Sequence, residues 1–233
     1  MIDFHSHVLP DMDDGAKTPE ISLAMLRAAA KQGAEVVVAT PHFYWEYDSI
    51  NSFLERRQRC YDQLRPLLTA DCPSVLLGAE VRLSEGLSRM DLRPLCLQGT
   101  DILLLELPFM RAPHWLLEEV ENIVLGQRLT VMFAHLDRYM TWYKSNDIAA
   151  LTELPGVIVQ LNAETLADKR ELRQLLKWLP PSLRLVVGSD MHDMGERAPQ
   201  LAQAMALLAR NRVGRMWLQQ IRYTAREIME ECN

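Results

Sequence analysis

Three observations predict an α/β fold built on a mainly parallel sheet. Short β-rich runs alternate with amphipathic helical stretches, most runs are continuously apolar, and polar residues stand just past nearly every run. A strand with one face in water would alternate apolar and polar residues, so continuous runs predict strands covered on both faces. An open sheet and a closed barrel both satisfy this pattern. The polar residues at strand ends favour a barrel, because βα barrels build their sites there.

The first strand is read at residues 2–4, and the helix after it, at 19–32, is marked at both ends. Thr18 can cap it, Pro19 fits a first position whose N–H would be unpaired anyway, and Gly33 stops it. A strand at 35–39 leads to a helix at 50–68, and strands at 74–78 and 102–105 lead to a helix at 113–125. Strands at 130–133 and 157–161 precede a helix at 168–179, and a strand at 184–187 precedes one at 199–209. The last helix, 213–231, sets Trp217, Ile221 and Ile228 on one apolar side. Core packing is its expected role, with a homo-oligomer contact as the alternative.

The chain has 233 residues, and with no Gly/Ser linker, internal repeat or low-complexity segment it is expected to form one domain over 1–233. No apolar run is long enough to span a membrane, and MIDFHSH has neither the basic region nor the apolar stretch of a signal peptide. A soluble, cytoplasmic protein is therefore expected. Cys60, Cys72, Cys96 and Cys232 are scattered, as suits thiols in a reducing compartment. A formal net charge of −6 argues against a nucleic-acid partner, although an acidic protein can still hold a positive metal site.

Five of the six histidines lie at or just past strand ends. His5 and His7 follow the first strand two residues apart, so along an extended chain their side chains face the same way and can chelate one ion. His42 follows the second strand, Glu80 the third and Glu106 the fourth; His135 follows the fifth, while Asp190 and His192 follow the seventh. Such a set converges at one end of a parallel sheet and predicts a metal site. Asp11, Asp13 and Asp14 form a carboxylate-rich loop after His7, where two would be solvated turn residues and one could reach the metals. Imidazole and carboxylate without thiolate suit Mn, Fe or Zn. Four carboxylates on about three divalent ions would leave a surplus of roughly +2, a receptor for a phosphate dianion. Arg138 and Arg197, each a few residues past a ligand motif, can fork two phosphate oxygens. His114, outside this pattern at a helix start, is read as a surface residue.

The motifs HSHVLPDMDDG, ATPH, GAEVRL, LLELP, AHLDRY, QLNAETL and GSDMH occur in order along nearly the whole chain. In this the sequence resembles the PHP (polymerase and histidinol phosphatase) superfamily, and within it the bacterial tyrosine phosphatases of capsule and exopolysaccharide synthesis. The resemblance implies a PHP-type distorted (βα)7 TIM-like barrel with about three divalent metals, usually manganese. It implies that His5, His7, Glu80 and Asp190 hold one metal. Glu80, Glu106 and His135 would hold a second, and Asp14, His42 and His192 a third. Arg138 and Arg197 match the phosphate-binding arginines. Phe43 and the Leu136–Asp137 pair depart from the usual motifs; neither change removes a ligand, and both leave the shape of the rim, and with it the substrate preference, open.

The function implied is hydrolysis of protein phosphotyrosine, with a tyrosine autokinase as partner. Water activated by the metals would attack phosphorus in line with the departing tyrosine oxygen. No cysteine is followed at thiol-phosphatase spacing by arginine, since Pro66, Gly78 and Ile102 stand six positions past Cys60, Cys72 and Cys96. Two alternatives remain open at this stage. One is a PHP-type histidinol-phosphate or other small phosphomonoester phosphatase; the other is an idle PHP module that binds a partner.

Overall fold

Every strand read from the sequence is present, and all pairings between the named strands are parallel. The computed structural model describes residues 1–179 and 183–231; Cys232, read above as a reduced thiol, lies outside them. The order is β1 (Ile2–Ser6), α1 (Pro19–Lys31), β2 (Val36–Ala39), β3 (His42–Phe43), α2 (Ile50–Leu64), β4 (Ser74–Leu77), β5 (Glu80–Arg82), β6 (Ile102–Glu106) and α3 (Leu116–Glu121). It continues with β7 (Thr130–Phe133), α4 (Ser145–Thr152), β8 (Ile158–Asn162), α5 (Ala163–Ala167), α6 (Lys169–Trp178), β9 (Arg184–Gly188), α7 (Leu201–Leu208) and α8 (Arg212–Glu231).

The strands form a three-stranded sheet, β1-β2-β4, and a six-stranded sheet, β3-β5-β6-β7-β8-β9. Between β2 and β3 stands Pro41, which has no N–H to give a ladder. Between β4 and β5 stand Gly78 and Ala79, and the interruptions move pairing from one sheet to the other. The first strand also meets the last: Ser6 bridges Met191, the His7 amide donates to Met191 O at 3.0 Å, and the Asp190 amide donates to His5 O at 2.8 Å.

Burial on both faces is visible residue by residue. Phe4, Val38, Leu104, Met132, Ile158 and Val186, each from a different strand, pack in one cluster with Ile228 of α8. Their immediate neighbours Val37, Leu103, Leu105, Val131, Phe133, Val159, Leu185 and Val187 pack in a second cluster with Met25, Leu26, Phe53 and Leu201 of the helices. Alternation therefore exists along each strand, but it sorts residues between two apolar layers. Trp217 and Ile221 of α8 are buried too, so the expected core role of that helix holds.

The helix signals act largely as read. Thr18 Oγ1 accepts from the Ile21 amide, Pro19 opens α1, and Gly33 sits past its end at φ +93°. The stretch 50–68 ends as an α-helix at Leu64 and tightens into a 3-10 turn, Arg65–Leu67, containing Pro66. The expected helix at 113–125 begins only at Leu116, and its end widens into a π-turn over Asn122–Gly126.

Candidate metal centre

All nine candidate ligands come together at one end of the sheets: His5 and Glu106 close β1 and β6, His7, His135 and Asp190 follow β1, β7 and β9, and His42 and Glu80 open β3 and β5 just past the ends of β2 and β4. They fall into four overlapping groups whose donor atoms lie within 4.8 Å of one another: His7, Asp14, His42 and His192; His5, His7 and Asp190; His5, Glu80 and His135; His42, Glu80 and Glu106. Glu80 is their centre. Its Oε1 is 2.8 Å from His135 Nε2, and its Oε2 is 2.9 Å from His42 Nδ1, 3.2 Å from His5 Nε2 and 3.3 Å from His7 Nε2. Asp190 Oδ1 lies 3.6 and 3.5 Å from the same His5 and His7 nitrogens, and His135 Nε2 lies 3.6 Å from Glu106 Oε1.

The hydrogen bonds behind the rings set where their lone pairs point. His5 Nδ1 is 2.9 Å from Gln160 Oε1, an oxygen that also accepts from the His135 amide, while Gln160 Nε2 donates to Asn162 Oδ1. His7 Nδ1 is 2.7 Å from Asp13 Oδ2. With each Nδ1–H donated backwards, both Nε2 atoms are left facing each other at 3.2 Å. Only a proton on one ring or a shared cation makes that arrangement favourable. His192 repeats the pattern: its Nδ1 donates to Asp190 O at 2.9 Å, and its buried Nε2, without a hydrogen-bond partner, lies 3.3 Å from Asp14 Oδ1. The donor set thus fits hard or borderline divalent cations.

The electrostatics point the same way. Burial opposes charge on His7, yet Asp13, Asp190 and Glu80 raise its pKa well above the ordinary range. Burial likewise opposes ionisation of Glu80, but His5, His135 and His42 hold its carboxyl well below the ordinary range. Burial and then Glu80 itself push Glu106 the opposite way. His192, through burial and the neighbouring His7, is lowered to about 4 and is neutral at neutral pH. In the metal-free protein protons occupy a site whose field draws cations, and a metal would compete with them.

Backbone conformation fixes two of these groups. His135 and Asp190 both have left-handed φ, +30° and +53°, which non-glycine residues rarely adopt. Each turn aims a side chain back over the strand ends. A Cβ at Gly188 would stand 2.5 Å from His5 Cβ and 2.7 Å from Gln160 Nε2, so the approach of β9 to β1 requires glycine there.

Arg138 and Arg197 stand above the cluster, each about one-third exposed, and both reach Asp190. Arg138 Nη2 lies 2.7 Å from Asp190 Oδ2; Arg197 Nη2 lies 3.1 Å from both oxygens, and its Nη1 is 3.6 Å from Asp14 Oδ2. These guanidinium groups face the same opening as the exposed Asp14.

One expectation needs correction, and the places of Phe43 and Asp137, which the sequence leaves open, are fixed by the fold. Asp13 is not a solvated turn residue: its side chain is 8% exposed, bonded to His7 and to the amides of Gly15 and His42, so two of the three loop aspartates reach the site. Phe43 does not shape the rim, because it is buried edge-on against Phe53. Asp137 is buried as well and accepts from the Asn162 amide and Thr165 Oγ1. Gln160 had no role assigned from sequence, although a polar residue inside an apolar strand was a visible signal. His114 is exposed in the turn before α3, as read.

The chain is similar to known proteins over nearly its whole length. The family model described as capsular polysaccharide synthesis, CpsB/CapC, matches residues 1–230. The chain is 29% identical to the tyrosine-protein phosphatase YwqE of Bacillus subtilis, over 89% of this chain and 84% of that protein. It is 27% identical to the tyrosine-protein phosphatase CpsB of Streptococcus pneumoniae, over 90% of each. A solved structure from work on YwqE of Bacillus subtilis and CpsB of Streptococcus pneumoniae, described as metal-dependent tyrosine phosphatases, has a TM-score of 0.78 at 24% identity. That match covers 97% of this chain and 94% of the other, and shows a shared fold. The chain belongs to the capsular polysaccharide synthesis CpsB/CapC family.

Proposed function

We propose that this protein is a metal-dependent protein-tyrosine phosphatase, a phosphoric monoester hydrolase acting on a phosphotyrosine-bearing protein in capsule or exopolysaccharide synthesis, with a tyrosine autokinase as the expected substrate. One observation carries the reading: the facing Nε2 atoms of His5 and His7, 3.2 Å apart between Glu80 and Asp190, with two arginines above them. The names of the relatives support the substrate class. Among the described residues no helix is long and apolar enough to cross a membrane, and a cytoplasmic location follows from the proposed substrate. We also read the two sheets, joined at β1 and β9, as one distorted seven-stranded barrel in which β2 with β3, and β4 with β5, each count as one interrupted strand.

In this reading His5, His7, Glu80 and Asp190 hold one metal, Glu80, Glu106 and His135 a second, and Asp14, His42 and His192 a third. Manganese is the expected ion, with iron or zinc compatible with the donors. Bound metals would lower the pKa of water, polarise the phosphoryl group and neutralise the leaving oxygen. The chain supplies the rest. Gln160 and Asp13 fix the tautomers of His5 and His7, so their Nε2 atoms are presented unprotonated to an ion. Arg138 and Arg197, balanced in the free protein by Asp190, offer fork-shaped donors to the phosphoryl oxygens. Phenolate is a good leaving group, its parent hydroxyl having a pKa of about 10.

The test compares kcat/KM on a phosphotyrosine peptide with that on histidinol phosphate at equal manganese. The peptide is expected to win, and Arg138→Ala and Arg197→Ala to lose activity on it. A tenfold or greater preference for histidinol phosphate, about 1.4 kcal/mol, would replace this reading with that of a small-molecule phosphatase.

A further inference from the structure

The aromatic residues around the site differ in how their ring faces are used. Tyr44, just past β3, stacks on His42 at 5.4 Å and 24°, and the Arg82 guanidinium lies over its ring at 5.6 Å. Phe109, in the loop after β6, stacks on His135 at 5.7 Å and on Tyr139 at 5.0 Å, nearly parallel to both. The His135 and Tyr139 rings are themselves only 5.7 Å apart, too close to stand on opposite faces of Phe109. Both therefore lie on one side of it. The residue remains 45% exposed, although the adjacent Tyr139 is fully buried and anchored by its hydroxyl to Leu107 O.

Phe109 thus has one face seated on a metal-site histidine and the next buried aromatic, and one face free. The seat makes it rigid: His135 Nε2 is held at 2.8 Å by Glu80, and Tyr139 is fixed to the backbone. Free apolar surface fixed against a metal-site histidine is poorly explained by local packing alone, because Glu106 at the end of β6 and Leu107 just before Phe109 both turn inside. Parallel and offset aromatic pairs are favourable at ring separations of roughly 4.5–7 Å, the spacing Phe109 already makes with its two neighbours.

We propose that the free face of Phe109 is the platform on which the phenyl ring of the substrate stacks, so that this residue selects aryl over alkyl phosphomonoesters. The inference rests on the phosphatase reading and deepens it. Arginines and metals recognise a phosphoryl group whatever it is attached to, so discrimination must come from a group that touches the rest of the side chain. Phe109 supplies a flat, preorganised surface for it at little entropic cost.

The experiment is calorimetric titration of the manganese-loaded protein with phenylphosphonate and methylphosphonate, which share a headgroup and differ in the ring. The natural protein is expected to bind phenylphosphonate about tenfold more tightly, about 1.4 kcal/mol. Phe109→Ala should abolish that preference and Phe109→Trp should keep it, with Phe109→Leu intermediate. A preference that survives in Phe109→Ala, or that is absent from the natural protein, overturns the platform. If neither phosphonate binds, the phosphatase reading fails and the platform falls with it, an outcome distinct from loss of selectivity. Thermal unfolding of each variant separates a folding defect from lost stacking.

Discussion

The same strands carry two layers of opposite character. In the lower layer Phe4, Val38, Leu104, Met132, Ile158 and Val186 close on one another, with Ile228 of α8 among them. One to four residues further along, His5, His7, Glu106, His135 and Asp190 meet around Glu80, buried but polar. The lower layer is complete, since each apolar group meets others like it. The upper layer is not, since His5 and His7 face each other Nε2 to Nε2 at 3.2 Å and His192 buries an unsatisfied nitrogen. The contrast separates what the chain does for stability from what it does for chemistry: the floor needs only its own side chains, and the site above it is made of groups that could hold a cation.

Substitutions in the two layers should therefore fail differently. Leu104→Ala removes a fully buried side chain and is expected to cost about 2–5 kcal/mol, measured by urea unfolding, in stripped and metal-loaded protein alike. Glu80→Ala, at the shared carboxylate, should lower turnover about a hundredfold or more relative to exposed His114→Ala. Comparable losses from the two would show the site to be elsewhere.

Asp3 stands at the boundary and sharpens the comparison. It is fully buried, and burial raises its pKa to about 6, only partly offset by hydrogen bonds from Ser189 and the His5 amide. A carboxyl raised in the folded state holds its proton more tightly there. Its contribution is then most favourable below the unfolded pKa of about 4 and declines as pH rises to about 6. In the metal-free protein Asp3→Asn is expected to gain stability, relative to the natural chain, by about 2 kcal/mol between pH 4 and pH 7. A pH-independent difference would contradict this assignment.

The smallest expected effect is at Asp13. Because it orients His7 without being among the grouped ligands, Asp13→Ala should weaken manganese affinity about tenfold and leave turnover at saturating metal closer to normal. Titration of the stripped variant with manganese checks it, and an unchanged affinity would reduce Asp13 to a loop residue.

Much of this was legible in the sequence. The places of seven strands along the chain were readable because continuous apolar runs survive between polar strand ends, and the site because its histidines and acids recur at those ends. The short strands His42–Phe43 and Glu80–Arg82 were not, since Pro41 and Gly78–Ala79 interrupt the runs that would announce them. The helices Ser145–Thr152 and Ala163–Ala167 are too short to show a clear period. Asp13 and Asp14 are adjacent and chemically identical, and only the fold sends one to His7 Nδ1 and the other toward His42 and His192. The buried placement of Asp137, tied to Thr165 across 28 residues of sequence, was hidden for the same reason.

The central claim is that the polar layer holds divalent metals on which phosphotyrosine hydrolysis depends. Its most direct test strips the protein with chelator, reloads it with manganese, and measures bound metal by elemental analysis beside turnover of a phosphotyrosine peptide. More than one equivalent of metal per chain is expected, with activity lost on stripping and restored on reloading. Full activity in a metal-free protein held in chelator would contradict it.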